Sequence, residues 1–310
     1  MRPAVSLDTR RRSGNRSKVP KFIIVSEGYR TEIQYFKGLA ENRRIAKISS
    51  LIQICPLNRF ASHSGHSDPM AMLDLLDEYI EHSKTGKLTQ NLFVNMFIEH
   101  VWDHLNELPC TDIDELRQAM VYELNEKGQE SIKDVKIATK ICSNALIKRS
   151  IKVSLDFAPE LPISYDPEID KIYVMIDRDR DSRNASKCND FISRCREHGY
   201  VPLLTNPCFE FWLLLHFEDV ICVDKKELYA NEKVDGKRFT ERKLDEFLMG
   251  IGSENGYDKT NFDAWCFVYR IDEAIKNEKL FCCEEKCIMS NLGSNIGSLI
   301  QEMRAPQIRK

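Results

Sequence analysis

Three aspartates at alternate positions close an apolar run, Lys171-Ile172-Tyr173-Val174-Met175-Ile176-Asp177-Arg178-Asp179-Arg180-Asp181. The β-branched, apolar character of the run predicts a strand. Side chains two apart on a strand share a face, roughly 6–7 Å from one another. Asp177 and Asp179, with Asp181 beyond them, therefore converge on one point. Carboxylates that close raise each other's pKa unless a cation neutralises them. Arg178 and Arg180 belong to the opposite face of such a strand. A hard divalent metal is the simplest partner, because carboxylate oxygens are the ligands Mg²⁺ prefers. A solvated acidic turn has the same composition, so the triplet alone leaves both readings open.

A second acidic point ends another apolar run, Lys21-Phe22-Ile23-Ile24-Val25-Ser26-Glu27-Gly28. Tyr29 to Leu39 then reads as a helix with Ile33, Phe36 and Leu39 on one side. Glu27 falls at a strand-to-helix turn, where Gly28 is free to take backbone angles that other residues avoid. Ligands of open α/β sheets bind at the carboxyl ends of the strands, and both acidic clusters occupy that end of a predicted strand.

A strand ending in Glu-Gly and a later strand ending in Asp-x-Asp resemble the Toprim domain of topoisomerases, primases and overcoming-lysogenisation-defect nucleases. More narrowly, four segments resemble the RloB-like family, which is found beside bacterial restriction and abortive-infection genes. They are Ile24 to Glu32 with Tyr35-Phe36, Asp177-Arg178-Asp179, Asn206-Pro207-Cys208-Phe209-Glu210 running on to Phe217, and Tyr257-Asp258-Lys259-Thr260 with Ser294-Asn295-Ile296. The likeness covers about residues 20–85 and 170–304, and the Asn-Pro-Cys-Phe-Glu block is its most specific part. It implies a metal-dependent phosphodiesterase or phosphotransfer centre using one or two Mg²⁺ or Mn²⁺ ions. Carried over, Glu27 is a metal ligand or general acid/base, and Asp177 and Asp179 hold the metal. Glu32 and Asp181 are further ligand candidates and Glu210 a further catalytic one. Lys259, Arg30, Asn206 and Asn295 are the implied substrate contacts.

The residues themselves add weight unevenly. Glu210 lies between Phe209 and Phe211, where a carboxylate is costly to bury without a partner. Asn206-Pro207 marks a strand-to-helix boundary and puts Glu210 in a first helical turn, as a site residue or as a structural acceptor. Lys259 suits a phosphate as a point charge and suits an ordinary surface equally. Asn295 reads first as a helix N-cap.

Composition bounds the rest. A chain of 310 residues with 42% hydrophobic content can bury one substantial core, or a core with a subdomain. No run approaches the roughly 20 apolar residues of a membrane span, and the first residues lack a signal peptide's apolar core. Eleven cysteines without metal-finger spacing read as reduced thiols of a cytoplasmic protein, the Cys282-Cys283-x-x-x-Cys287 cluster being the odd one. Net charge is −3, yet residues 1–20 hold Arg2, Arg10, Arg11, Arg12, Arg16 and Lys18 against Asp8 alone. This basic arm is expected to be disordered and suits nucleic acid or simple solvation. Lys187, Arg194 and Arg196 could line an approach to the site or form a solvated helix face. His63 and His66 in a Ser/Gly loop, and His100 with His104 on one helix face, are weaker phosphate or metal candidates.

The element order predicts an α/β fold, Toprim-like, with a mainly parallel sheet covered by helices on both faces. Further strands are expected at Ser50–Leu57 and Tyr200–Thr205, and helices at Asp68–Ile80, Ala185–Gly199, Cys208–Phe217, Thr240–Met249, Phe262–Asn277 and Asn295–Arg304. Residues 21–86 and 166–304 form the core. Residues 87–165 form a mostly helical insertion, with helices at Asn91–Leu108, Asp112–Asn125 and Ser131–Lys148, suited to a substrate, a partner or a dimer interface. The expected function is a Mg²⁺- or Mn²⁺-dependent endonuclease acting on DNA or RNA, tRNA included, in anti-phage defence. The alternative is a non-catalytic sensor that binds nucleic acid or nucleotide through the same acidic pocket. A regulatory protein partner and a homodimer stay open.

Overall fold

The computed structural model describes residues 19–28, 30–57, 69–101, 113–149, 151, 164–178, 185–253, 256–259 and 261–306. The basic arm, the His63–His66 loop, His104, Asp179 and Asp181 lie outside these residues.

The chain opens with β1 (Lys21–Ser26), α1 (Thr31–Glu41), β2 (Gln53–Leu57) and α2 (Pro69–Thr85). The insertion follows as β3 (Leu88–Thr89), α3 (Gln90–His100), α4 (Ile113–Glu126), β4 (Ser131–Ile132) and α5 (Val135–Ile147). The core resumes with β5 (Lys171–Asp177), α6 (Ala185–Glu197), β6 (Val201–Asn206), α7 (Phe209–Leu214) and α8 (Lys225–Ala230). It ends with β7 (Lys233–Val234), β8 (Lys237–Arg238), α9 (Phe239–Gly250), α10 (Trp265–Val268), α11 (Ile271–Glu278), α12 (Glu285–Ile288), β9 (Gly293–Ser294) and α13 (Ile296–Arg304).

The main sheet runs in the order β2-β1-β5-β6-β9. Its first four strands are parallel, and only the two-residue β9 is antiparallel. Each inner strand is sealed on both faces, which is why its sequence reads as an unbroken apolar run. Phe22, Ile24, Tyr173, Met175 and Leu203 face α1, α7 and the C-terminal helices. Ile23, Val25, Ile172, Val174, Ile176 and Leu204 face α2 and α6.

An aromatic cluster locks α1 to α7. Tyr35, Phe209, Trp212 and His216 are all fully buried, with Tyr35 edge-on to the other three rings. His216 Nδ1 faces the carbonyls of Trp212 (3.1 Å) and Leu213 (3.2 Å), which only accept, so the proton sits on Nδ1. Nε2 then accepts from the Tyr35 hydroxyl at 3.1 Å. Burial drives the His216 pKa down to about 3, so the ring stays neutral. Removing one such ring costs about 3–5 kcal/mol, and the lock fixes the two helices that carry Glu32 and Glu210.

The insertion has its own core, with Phe93, Phe97, Leu116, Met120 and Leu146 at its centre and Leu75 joining it to α2. Its last helix starts later than expected. Ser131 and Ile132 pair with β3, and Asp134 caps the helix by accepting from the Lys136 and Ile137 N–H groups at 2.9 and 3.1 Å. The helix expected over Phe262–Asn277 is broken into α10 and α11.

Three expectations are corrected by the fold. Cys282 and Cys287 form a disulfide rather than staying reduced, while eight other described cysteines are free. Asn295 does not cap α13 with its side chain. Its carboxamide lies along β6 instead, accepting from Leu204 N–H at 2.7 Å and donating to the Pro202 carbonyl at 3.2 Å. Arg194 and Arg196 line no approach: Arg194 pairs with Asp74 and Asp77 on α2, and Arg196 with Glu285.

Candidate active site

The carboxyl ends of β1 and β5 lie side by side in the sheet. The Glu27 N–H donates to the Met175 carbonyl at 3.0 Å, carrying the β1–β5 ladder one residue past β1. One turn into α1, Glu32 folds back towards the same point and is only 6% exposed. What a side chain at Gly28 would disturb is the space held by the Glu32 carboxylate, not a left-handed backbone. A Cβ on Gly28 would lie 1.9 Å from Glu32 Oε2, and its φ is not among the positive ones.

Asp177 ends β5 in register with Thr205 of β6, and the Thr205 hydroxyl donates to Asp177 Oδ1 at 2.5 Å. Burial pushes the Asp177 carboxyl well above its ordinary range, and the charges of Glu32, Glu27 and Glu210 push it further. Burial likewise raises Glu32 to about 7. Its backbone hydrogen bond at the start of α1 opposes this, and Glu210 and Glu27 reinforce it. These shifts bring four carboxylates, from β1, α1, β5 and α7, into one electrostatic unit.

Glu210 sits in the first turn of α7, 4% exposed. It accepts from Lys259 Nζ at 2.9 Å and from the Tyr257 hydroxyl at 3.2 Å, both at Oε1. Burial works to raise its pKa, but Lys259 outweighs that and holds the carboxyl below its ordinary value. Lys259 Nζ also reaches Glu241 Oε1 at 2.6 Å. Burial opposes its charge, yet the two carboxylates lift its pKa above the ordinary lysine value. Burial, then Glu210 and Asp177, push the neighbouring Cys208 thiol up, so it is no thiolate nucleophile.

The remaining expected residues sit at different distances from this chemistry. Arg30 is exposed at the N-cap of α1. Asn206, at the cis Asn206–Pro207 bond, is fully buried and donates to the Ile288 (2.6 Å) and Asn291 (2.9 Å) carbonyls. The Asn295 carboxamide on β6 is engaged by backbone through both its atoms, whereas the Asn206 Oδ1 is buried with no hydrogen-bond partner among the described residues. Arg178 turns away from Asp177, as alternation requires, and donates to the Met289 carbonyl at 3.2 Å. His100 is exposed at the end of α3. Sequence reasoning missed Glu241 and Thr205. Glu241 had a weak signal, an acid in a first helical turn; Thr205 had none before the β5–β6 register was known.

The donor set fits a hard divalent cation. All the groups are carboxylate oxygens, and burial together with the neighbouring carboxylates pushes Glu32 and Asp177 towards their protonated forms. Among the described residues, no three His, Cys, Asp or Glu side chains are gathered closely enough to hold an ion as they stand. Asp179 and Asp181, the rest of the expected set, lie outside those residues.

A mainly parallel α/β sheet bearing acidic residues on its strand tips defines the class. The chain belongs to the RloB-like protein family, whose model matches residues 22–303, nearly the whole chain. No curated protein and no solved structure matches it.

Proposed function

We propose that this RloB-like protein is a Mg²⁺- or Mn²⁺-dependent nuclease of the Toprim type that cleaves DNA or RNA in anti-phage defence. The supporting observation is the mutual influence of Glu27, Glu32, Asp177 and Glu210 at the carboxyl ends of β1 and β5, where Glu32 and Asp177 resist ionising beside their neighbours. Glu27, Glu32 and Asp177, with Asp179 and Asp181, would hold the metal. Bound divalent ions supply an acidified water and charge neutralisation for the phosphate. Thr205 orients Asp177 through its hydroxyl. Glu210 is the carboxylate kept ionised, able to take a proton at Oε2, the oxygen that Lys259 and Tyr257 do not use. Lys259 has three N–H donors, of which two point at Glu210 and Glu241. The third is left for a phosphate oxygen, since the side chain is half exposed.

Among the described residues no helix is long and apolar enough to cross a membrane, and cytoplasmic action is part of the proposal. The test is cleavage of plasmid DNA, single-stranded DNA and total tRNA with Mg²⁺, Mn²⁺ or EDTA, beside Asp177→Ala/Asp179→Ala. Metal-dependent cutting lost in the variant is expected. Metal binding with no cutting of any substrate would replace this reading with a binding module.

A further inference from the structure

Two aromatic side chains outside the acidic centre stand in solvent. Trp265 is 44% and Tyr269 70% exposed, with rings 6.4 Å apart and inclined by 31°. Rings of this size are ordinarily drawn into a core, so a paired, exposed set marks an interaction surface. The segment before them runs along α1 from the acidic centre. At the start of α1 the Thr31 hydroxyl donates to the Lys259 carbonyl at 3.3 Å. One turn on, the Phe262 N–H donates to Gln34 Oε1 at 3.3 Å. A further turn on, Ala264 packs so closely on Gly38 that a Cβ there would lie 2.5 Å from its own Cβ. Thr31 to Gly38 is a helix rise of roughly 10 Å, about three nucleotides of a stacked strand at roughly 3.4 Å each.

The charges beside this track suit a phosphate backbone. Arg30 and Lys37, two helical turns apart, are exposed on the α1 face that carries Gln34 and Gly38. Asp258, Asp263 and Glu41 are also exposed nearby, but Asp263 accepts from the Trp265 N–H at 2.9 Å and serves the start of α10.

We propose that Trp265 and Tyr269 form a base-stacking platform for single-stranded nucleic acid, placed about three nucleotides from the phosphate bound at Lys259 and the acidic centre. The platform deepens the nuclease reading and rests on it for the position of the phosphate alone. Stacking on aromatic faces tolerates any base. It requires bases that are not already stacked in a duplex, so the substrate class is a single strand or an unpaired loop.

The test is fluorescence anisotropy of short (about 12-nucleotide) single-stranded DNA and RNA oligonucleotides and the matching duplex, in EDTA so that nothing is cut. The wild type is compared with Trp265→Ala/Tyr269→Ala and with Trp265→Phe/Tyr269→Phe, thermal melting serving as the control for folding. The alanine pair is expected to weaken single-strand binding about tenfold or more, to leave duplex binding within about twofold, and to be rescued by the phenylalanine pair. Equal affinities for the wild type and the alanine pair, equal losses on duplex, or no single strand bound by the wild type each overturn the platform. The last result would leave the patch to a protein partner. Cutting by the wild type with Mg²⁺ or Mn²⁺ is scored separately. A wild type that cuts while the alanine pair binds normally removes the platform and keeps the nuclease. A wild type that never cuts, with binding lost in the alanine pair, does the reverse.

Discussion

At the scale of residues, the site is a problem of too many negative charges with one ammonium among them. Lys259 contacts Glu210 at 2.9 Å and is the largest influence lowering that carboxyl, whereas burial outweighs the lowering influences at Asp177 and Glu32. Glu241 in turn fixes Lys259, while its other oxygen accepts from the Arg238 N–H at 3.2 Å. In Glu241→Gln a single amide oxygen has to serve both donors and carries no charge. A charge-assisted hydrogen bond is worth about 1.5 kcal/mol or more, and cleavage kcat is expected to fall about tenfold or more, with the melting temperature little changed. A kcat equal to wild type would show that Glu241 only caps α9. Residue types and spacing pointed to Glu27 and Asp177, and the family resemblance added Glu210. They could not show that the Asn206 NH2 and the Asn295 carboxamide are taken up by backbone, because an asparagine's partners depend on what folds against it.

At the scale of elements, α1 connects the site to the rest of the fold. Its first turn carries Glu32, its middle packs through Tyr35 on α7, and Gly38 receives Ala264. Gly38→Ala sets helix propensity, worth about 1 kcal/mol in alanine's favour, against an overlap at 2.5 Å. Overpacking of that kind costs about 1–3 kcal/mol, so a net loss of up to roughly 2 kcal/mol in urea unfolding is expected. A gain would mean that the 259–264 segment moves away freely. Glu278, at the end of α11, accepts from the Gly297 N–H at 2.9 Å and so ties α11 to α13. Burial, the largest cause, raises its carboxyl from an ordinary 4.5 to about 7. A raised carboxyl favours the fold while it is protonated, so its stability is fully present below about pH 4.5. It is lost as pH climbs to about 7, a difference of about 3 kcal/mol. Glu278→Gln mimics the neutral form and should flatten that loss. The comparison is urea midpoints at pH 5 and pH 8, and a variant that loses as much as the wild type between them would place the titration elsewhere.

At the scale of the whole molecule, charge is distributed unevenly around a chain of net charge −3. Residues 1–19 hold six cations against Asp8. If all six contact phosphate, their deletion should reduce the log–log salt slope of single-strand binding by up to about 4. An unchanged slope in a salt titration of the deletion variant would show that the arm does not touch the nucleic acid. The insertion is a separate packing unit on α2, with a core of its own.

The sequence by itself determined the four parallel strands, the helices on both faces and the acidic ends of β1 and β5, because burial on both faces leaves continuous apolar runs. It also placed Glu210 in the first turn of its helix, because proline bounds the strand before it. Only the tertiary structure decided that β9 closes the sheet antiparallel, that Thr205 meets Asp177, and that Lys259 lies between Glu210 and Glu241. These contacts join residues 18 to 89 positions apart in the chain, and no local pattern encodes them. Gly28 shows the difference plainly: a glycine after a strand suggests a backbone turn, whereas its fold-level role is to leave room for the Glu32 carboxylate.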